Sequence, residues 1–267
     1  MPPKVSIILT CYNLGAYMQE ALDSIAAYPE KQDYEVIIVD DGSTEPETVA
    51  YLDGLSTLEY RLIRQENQGL AQARNNGIAV ARGAYIIPFD ADNRLRPAMI
   101  REVIQVLDTR PEVDIVHGDA EYFEGRTGRW VNQPMAFHRM LERNRIDACA
   151  GFRRNLWERL GGYDAQMRLG LEDWDFWLRA AVAGARFHYI PEILFDYRVR
   201  QVSMLTNTAK KRKTIVEYMF NKRELAFLRD MRTDYLRLLE AERKPPPTGR
   251  QHLRAAWNLL LKRFSLR

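Results

Sequence analysis

Several absences narrow this sequence before any motif is weighed. No apolar run approaches the ~20 residues that cross a bilayer. The opening MPPKVSIILTCYN lacks the long apolar segment and cleavage site of a secretory leader, so a cytoplasmic location is expected, with peripheral contact at the inner face of a membrane left open. Cysteine occurs only twice, at Cys11 and Cys149. That is too few for a disulfide framework, and the spacing suits neither a metal nor a redox pair; each is expected to be a small buried side chain. Neither G-x-x-x-x-G-K-[ST] nor a G-x-G-x-x-G after the first strand occurs, which excludes the P-loop and dinucleotide fingerprints. A phosphate bound here must be neutralised by side chains and metal.

What is present is 46% hydrophobic residues in a chain of 267, enough for one large core or a core with an appendage. The charge is uneven. Residues 209–267 carry 16 Lys/Arg against 6 Asp/Glu, whereas residues 1–208 carry 23 against 30, giving a body of −7 and a tail of +10. A basic tail on an acidic body suits an anionic partner such as a membrane surface, or it is a solvated helical face. No aromatic-basic interleaving of a nucleic-acid-binding sheet is found, so no nucleic-acid partner is expected.

Along the body, short β-branched runs alternate with helical periods. KVSIILT, YEVIIVD, YRLIRQ, AYIIPFD and VDIVHGD read as strands buried on both faces. Between them Tyr17, Ala21, Ile25 and Tyr28 make one helical stripe. LAQARNNGIAVAR reads as a second helix, and PAMIREVIQVLDTRP as a third with proline in its first turn. This alternation predicts an α/β fold with a single, mostly parallel, Rossmann-like central sheet flanked by helices, whose ligands bind at the carboxyl ends of the strands. The polar clusters TCYN, DDGST and DADN follow three of the strands. They would bring Thr10, Tyr12, Asp40, Asp41, Asp90 and Asp92 to one edge. Four carboxylates that close repel one another unless a cation or hydrogen-bond donors offset them. A divalent cation, Mn2+ or Mg2+, held by one or two carboxylates and completed by substrate phosphates, is the economical answer. DDGST also reads as a turn in which Ser43 or Thr44 caps a helix starting near Pro46.

VSIILTCYN, VIIVDDGST, NQGLAQARNNGIAVARGAYIIPFDADN, GGYD and LEDWDFWLR, in this order across residues 4–200, resemble the family 2 inverting glycosyltransferases. That family has the nucleotide-diphospho-sugar transferase (type A) fold. The resemblance implies that Thr10 and Tyr12 line the base and ribose of a nucleotide-sugar donor, most simply a UDP-sugar. Asp41 would bond the base edge with Asp40 as its support, Arg74 would lie close to the diphosphate, and Asn75 would tie its loop. Asp90 falls near the ribose and Asp92 on the bridging cation, while Asn93 stands where the family often has another aspartate. The Glu172–Asp173 pair matches the family's catalytic residues, with Asp173 as general base, and the helix dipole at this N-terminus favours its ionised form.

For the acceptor side, expected to be a glycan or lipid-linked glycan in polysaccharide or surface-glycan biosynthesis, the resemblance offers Gly151 for close backbone approach. It also offers Arg153 or Arg154 for an anionic group. Trp174 and Trp177 read either as core or as a stacking surface for sugar. In FDYRVRQ, Arg198 and Arg200 are candidates; Arg200 occupies the position where a histidine is common, and a guanidinium cannot ligate a cation. The expected organisation is a catalytic domain over residues 1–208, divided into a nucleotide-sugar half (1–118) and an acceptor half (119–208). A basic helical extension follows over residues 209–267. In that extension Ile215, Met219, Phe220, Phe227, Met231, Tyr235, Leu238 and Leu239 tend to one side. The proline run at 245–247 breaks the pattern, and Leu253, Ala256, Trp257, Leu260 and Phe264 form a second stripe. These faces would meet a membrane, a second subunit or the body. A non-catalytic nucleotide-sugar or glycan-binding subunit of the same fold is the alternative; Asp90, Asp92 and Asp173 together argue against it, because a binder needs no base.

Overall fold

The computed structural model describes residues 2–55, 59–201 and 204–243. Strands β1 (Val5–Cys11), β2 (Tyr34–Asp40), β3 (Arg61–Arg64) and β4 (Tyr85–Asp90) run parallel in the order β3-β2-β1-β4. Helices α1 (Gly15–Ala26), α2 (Pro46–Asp53) and α3 (Leu70–Ala79) make the crossovers between them. All seven residues of β1 are buried. Its alternate side chains face opposite layers, with Ile7 and Leu9 in one core cluster and Ile8 in the other, as the two-residue period of a strand requires. Helix α3 lies so close to the sheet that a Cβ on Gly77 would come 2.4 Å from Ile8 Cγ2, a separation only glycine permits.

Beyond β4 the sheet is mixed. Short β5 (Arg94–Leu95) and helix α4 (Pro97–Thr109) lead to β6 (Ile115–Glu124), β7 (Gly128–Trp130) and the short helix α5 (Phe137–Met140). Next come β8 (Gly151–Arg153), α6 (Arg154–Leu160), α7 (Glu172–Val182) and β9 (Phe187–Val199). The full order is β3-β2-β1-β4-β8-β6-β9-β5, with β7 beside β6. β8 is antiparallel to both β4 and β6, while β6 and β9 are parallel. The expectation of a mostly parallel sheet holds, with the antiparallel pairings confined to the short strands β5, β7 and β8. After β6 the chain turns back through a hairpin rather than a helical crossover.

The basic tail begins as α8 (Met204–Asn221) and α9 (Leu228–Arg243). The expected boundary at 208 falls inside α8, and one long helical period becomes two helices, leaving Phe227 exposed in the turn between them. Ile215, Val216, Met219, Phe220, Leu228, Met231 and Tyr235 are buried in the same cluster as Trp174 and Trp177. Lys222 Nζ pairs with Asp164 at 2.5 Å and with the fully buried Asp175 at 2.7 Å. The apolar face offered by these two helices is thus covered by the body. The proline run and the stripe from Leu253 to Phe264 lie outside the described residues.

Candidate active site

Register alone collects the first polar cluster. Cys11 lies opposite Asp40, and Thr10 lies opposite both Val39 and Asp90, so three strands end together. Thr10 Oγ1 lies 3.4 Å from Asp90 Oδ1. The buried Asp41 carboxylate accepts the Gln65 side-chain amide and the backbone N–H groups of Gln68 and Gly69, each at 2.8 Å. It therefore folds the loop that leads into α3. Asp40 accepts the Ser43 N–H at 2.9 Å. Neither Ser43 nor Thr44 caps α2, whose cap position is Glu45 with no side-chain bond. Asn13, at φ +54, does related work from the neighbouring loop. Its Oδ1 accepts from Thr44 N (2.8 Å) and Glu45 N (3.1 Å), and its own N–H donates to Ser43 Oγ at 2.9 Å. The adjacent Tyr12 is 47% exposed at the rim.

The centre is a guanidinium among carboxylates. Arg74 of α3 is 1% exposed; its Nη2 lies 2.8 Å from Asp90 Oδ1 and its Nη1 2.5 Å from Glu172 Oε1. It joins the end of β4 to the start of α7. Its guanidinium is held firmly charged because Asp90 and Glu172 outweigh its burial. Arg74 thus has almost no free surface, and both of its terminal guanidinium nitrogens are taken by carboxylates.

Around it the acids are crowded. Burial, with Asp90 adding, pushes the Asp92 carboxyl up, and Arg200 and Arg198 partly oppose this. Arg200 Nε lies 2.7 Å from Asp92 Oδ2. Burial and the nearby Asp90 push Asp147 up to about 7. Burial beside Glu172 and Asp147 drives Asp173 well above the carboxylate range, although Arg74 and the Trp174 N–H act the other way. The dipole of α7 therefore does not decide the charge of Asp173 as expected; desolvation and like charges win. Its Oδ2 accepts from Asn144 Nδ2 at 2.6 Å and its Oδ1 from Trp174 N at 2.7 Å. Tyr197 of β9 faces Asp147, Asp90, Asp92 and Asp173, and burial together with these charges raises its hydroxyl far above its usual value.

A stability prediction arises here. Because the folded pKa of Asp147 is raised from 3.8 to about 7, the folded chain carries a proton that the unfolded chain lacks between those values. Stability from that proton is complete below the lower value and is lost as pH rises through the upper one. Asp147→Asn should raise Tm by several degrees at pH 8 (about 2–4 °C per kcal/mol at this size) and change little near pH 4. Scanning calorimetry at both pH values checks this, and an equal shift at each would refute it.

Several acceptor-side expectations are corrected. A Cβ on Gly151 would meet Val103 Cγ2 at 2.3 Å, so the close approach is made by α4 inside the core. Arg153 lies opposite Tyr85, at the far end of β4 from Asp90. Its guanidinium donates to the Val113 and Leu107 carbonyls at 2.8 and 2.7 Å. Arg154 donates to Ala81 O at 2.6 Å. For the tryptophans the core reading is the one that agrees with the structure: Trp174 is wholly buried with Nε1 donating to Met140 O at 2.7 Å, and Trp177 is equally buried. Arg198 is buried and structural. Its Nε donates to Asp92 O at 2.6 Å, its N–H to Asn93 Oδ1 at 3.0 Å, and its guanidinium pairs with Glu20 and Glu124. It pins the Asp90–Asn93 turn from β9. Asn75 ties the GGYD segment, accepting from Trp157 Nε1 and Tyr163 N and donating to Tyr163 O.

The family model described as "Glycosyl transferase family 2" matches residues 6–170. The chain belongs to glycosyltransferase family 2. Among curated relatives, protein y4gI of Sinorhizobium fredii is 28% identical over 218 residues, covering 78% of this chain but only 24% of its own length. A PGL/p-HBAD biosynthesis glycosyltransferase of Mycobacterium bovis is 32% identical over 181 residues, covering 66% of this chain and 69% of its own. Among solved structures, Staphylococcus aureus TarS 1–349 in complex with UDP-GlcNAc superposes with a TM-score of 0.67 at 18% identity, covering 87% of this chain and 71% of that one. The mannosyltransferase PcManGT of Pyrobaculum calidifontis, in complex with GDP-Man and Mn2+, gives 0.58 at 21% identity, covering 98% and 81%. These likenesses establish the type A fold for this family 2 member.

The family match ends at residue 170, just before Glu172. Asn144, Asp147 and Tyr197 join the carboxylate cluster without having been singled out in the sequence. Asp147 carried a signal, as a lone acid in the small apolar run DACAG.

Proposed function

We propose that this chain is an inverting glycosyltransferase that moves a sugar from a nucleotide-diphospho-sugar to an acceptor hydroxyl, with Asp173 as general base. The observation that carries the reading is the bridge from Asp90 through Arg74 to Glu172. It sets the acids of the β4 end beside Asp173, far away in sequence. Residues 1–118 form the donor half, with Thr10, Tyr12 and the Asp41 loop at the nucleotide edge. Residues 119–208 bring the base and the acceptor.

In the reaction the acceptor oxygen attacks the anomeric carbon, the bond to the donor diphosphate breaks, and the hydroxyl proton passes to Asp173. A single displacement inverts the anomeric centre without a covalent intermediate. The high pKa of Asp173 makes it a stronger base than an ordinary carboxylate and suits proton transfer near neutral pH. Asn144 orients it. Arg74 and Glu172 act as positioning residues, fixing the two halves of the site against each other.

Among the described residues no three Asp, Glu, His or Cys side chains converge on one metal position, so a divalent cation would depend on the donor's phosphates for most of its shell. Asp92, Asp147 and Asp173 are all pushed upward, which marks an excess of negative charge that a cation would relieve. Mn2+ or Mg2+ needs only one or two carboxylates when phosphates complete its shell, and Asp92 is the residue to hold it. Bound there, the ion would supply electrostatic stabilisation of the leaving diphosphate. Arg200 on Asp92 adds a second positive charge at the same place.

Uridine is the favoured base, supported by the UDP-GlcNAc complex of the TarS neighbour, with guanosine as the competitor suggested by the mannosyltransferase. A thermal-shift screen of nucleoside diphosphates with Mn2+ and Mg2+ tests this reading. UDP with metal is expected to raise Tm, and no shift with any nucleoside diphosphate would sink the donor assignment. In calorimetry, excess chelator should lower UDP affinity at least about tenfold, a loss of roughly 1.4 kcal/mol. Unchanged binding in chelator would remove the cation.

A further inference from the structure

A cavity of about 390 Å3 opens beside the carboxylate cluster, between β7 and the segment around α5. Its volume is that of a small-ligand site (about 300–1,000 Å3). Asn144 belongs to both places, lining the cavity and donating to Asp173 Oδ2 at 2.6 Å. Asp173 itself does not line the cavity, so Asn144 is the link between a molecule seated there and the base.

The chemistry of the walls is unlike that of the surrounding protein. Arg139, Arg143 and Arg145 line the cavity, and none of the described residues lining it is acidic, although the body as a whole carries more acid than base. Arg145 pairs with Glu142 at 2.8 Å, while Arg139 donates to the neutral Gln133 side chain. Arg139 and Arg143 are exposed, so their guanidinium charge is available to an incoming group. The Arg145 Nε is buried without a hydrogen-bond partner.

The opposite wall is aromatic. Tyr122 and Trp130 stack with centroids 5.9 Å apart and planes within 4°. Tyr197 meets both edge-on, at 6.0 and 5.8 Å, and so ties this pair to the tyrosine that faces the carboxylates. The Arg126 guanidinium already lies over the Tyr122 ring, 4.1 Å from its centroid, so the Trp130 indole is the ring surface left to suit the C–H face of a sugar, and a guanidinium fork suits phosphate or carboxylate.

We propose that this cavity is the acceptor subsite and that the acceptor is a sugar bearing an anionic substituent, phosphate or carboxylate, held by Arg139 and Arg143 while its hydroxyl is presented to Asp173. The inference rests on the reading of Asp173 as base. The two can nevertheless fail separately, because acceptor binding needs no turnover. The arginines also give the site a sign. A neutral sugar gains only the aromatic wall, whereas an anionic one also makes charge-assisted bonds to the guanidiniums of Arg139 and Arg143.

Calorimetric titration of the UDP-saturated protein with hexoses, their uronic acids and their 6-phosphates tests the proposal. At least one anionic sugar should bind ~10-fold or more tightly than its neutral parent, and the advantage should shrink as salt rises. Which of the uronic acid and the phosphate binds more tightly identifies the source of the charge. The Arg139→Gln/Arg143→Gln protein should lose the anionic advantage, and Arg139→Lys/Arg143→Lys should keep part of it, which separates loss of charge from loss of fold. Equal binding of neutral and anionic members in the wild-type protein, or an undiminished advantage in the glutamine variant, overturns the anionic acceptor. Turnover that survives Asp173→Asn would overturn the base assignment while leaving these binding results standing.

Discussion

Asp173→Asn is expected to lower sugar transfer by about 10²–10⁴-fold, the usual contribution of a positioned general base, with UDP affinity within about threefold of wild type. Asparagine keeps the size of the side chain and its place at the start of α7, but it cannot take a proton from the acceptor hydroxyl. The nucleotide edge formed by Thr10, Tyr12 and the Asp41 loop belongs to β1, β2 and α3, so the donor's base should not register the change. Nor should the variant unfold. Burial and the neighbouring Glu172 and Asp147 raise the Asp173 pKa, so a neutral amide relieves an unfavourable charge, and Tm above neutral pH should stay level or rise. A loss of turnover in a protein that melts no earlier than wild type therefore isolates the chemistry. In the wild-type protein, turnover should climb with pH along a limb above the ordinary carboxylate range, because the base must be ionised to act. Stopped assays across pH measure both effects, and near-wild-type turnover of the variant would falsify the role given to Asp173.

Arg74→Met should be the most destabilising single change in the site. It leaves Asp90 and Glu172 without the guanidinium they share at 2.8 and 2.5 Å, in a cluster that already holds Asp92, Asp147 and Asp173. Removing one member of a buried ion pair typically costs ~3–5 kcal/mol, which at this size lowers Tm by on the order of 10 °C. Lysine should rescue little, since a single ammonium cannot span two carboxylates approached from opposite sides by a planar fork. Adding Glu172→Gln to Arg74→Met should recover part of the loss, because one of the two stranded acids becomes neutral. That non-additivity is the signature of a shared interaction. Calorimetric melts of the two single variants and the double variant give the cycle. An Arg74→Met protein melting within a degree of wild type would show that Arg74 bears no such charge burden.

The first half of the fold was legible because three of its four strands are buried on both faces; β3, expected to be the same, is an edge strand with no buried residue. KVSIILT, YEVIIVD and AYIIPFD carry nearly continuous β-branched or apolar runs, and β1, β2 and β4 follow them. The second half was not. β8 has three residues and β5 two, too short for any periodicity, and their antiparallel pairing has no local signature. In the site, order along the chain located the acids at the strand ends but could not tell which end of a strand a nearby residue occupies. Arg153 shows the consequence: one strand away from β4, it lies opposite Tyr85 rather than Asp90. Trp174 and Arg198 belong to motifs that look functional, and burial turns both inward. Asp173 was legible as a position, whereas its protonation was not, because that depends on Asp147, a residue brought close only by the fold.

The bridge through Arg74 also bears on how the chain reaches its native state. It joins residues 98 apart, and Arg198 reaches Glu20 across 178. Contacts of such separation form slowly, since loop closure precedes any gain from burial. Half of the Arg74 pairing lies on each side of that long loop, so a fragment ending at residue 170 would carry the guanidinium with Asp90 and without Glu172.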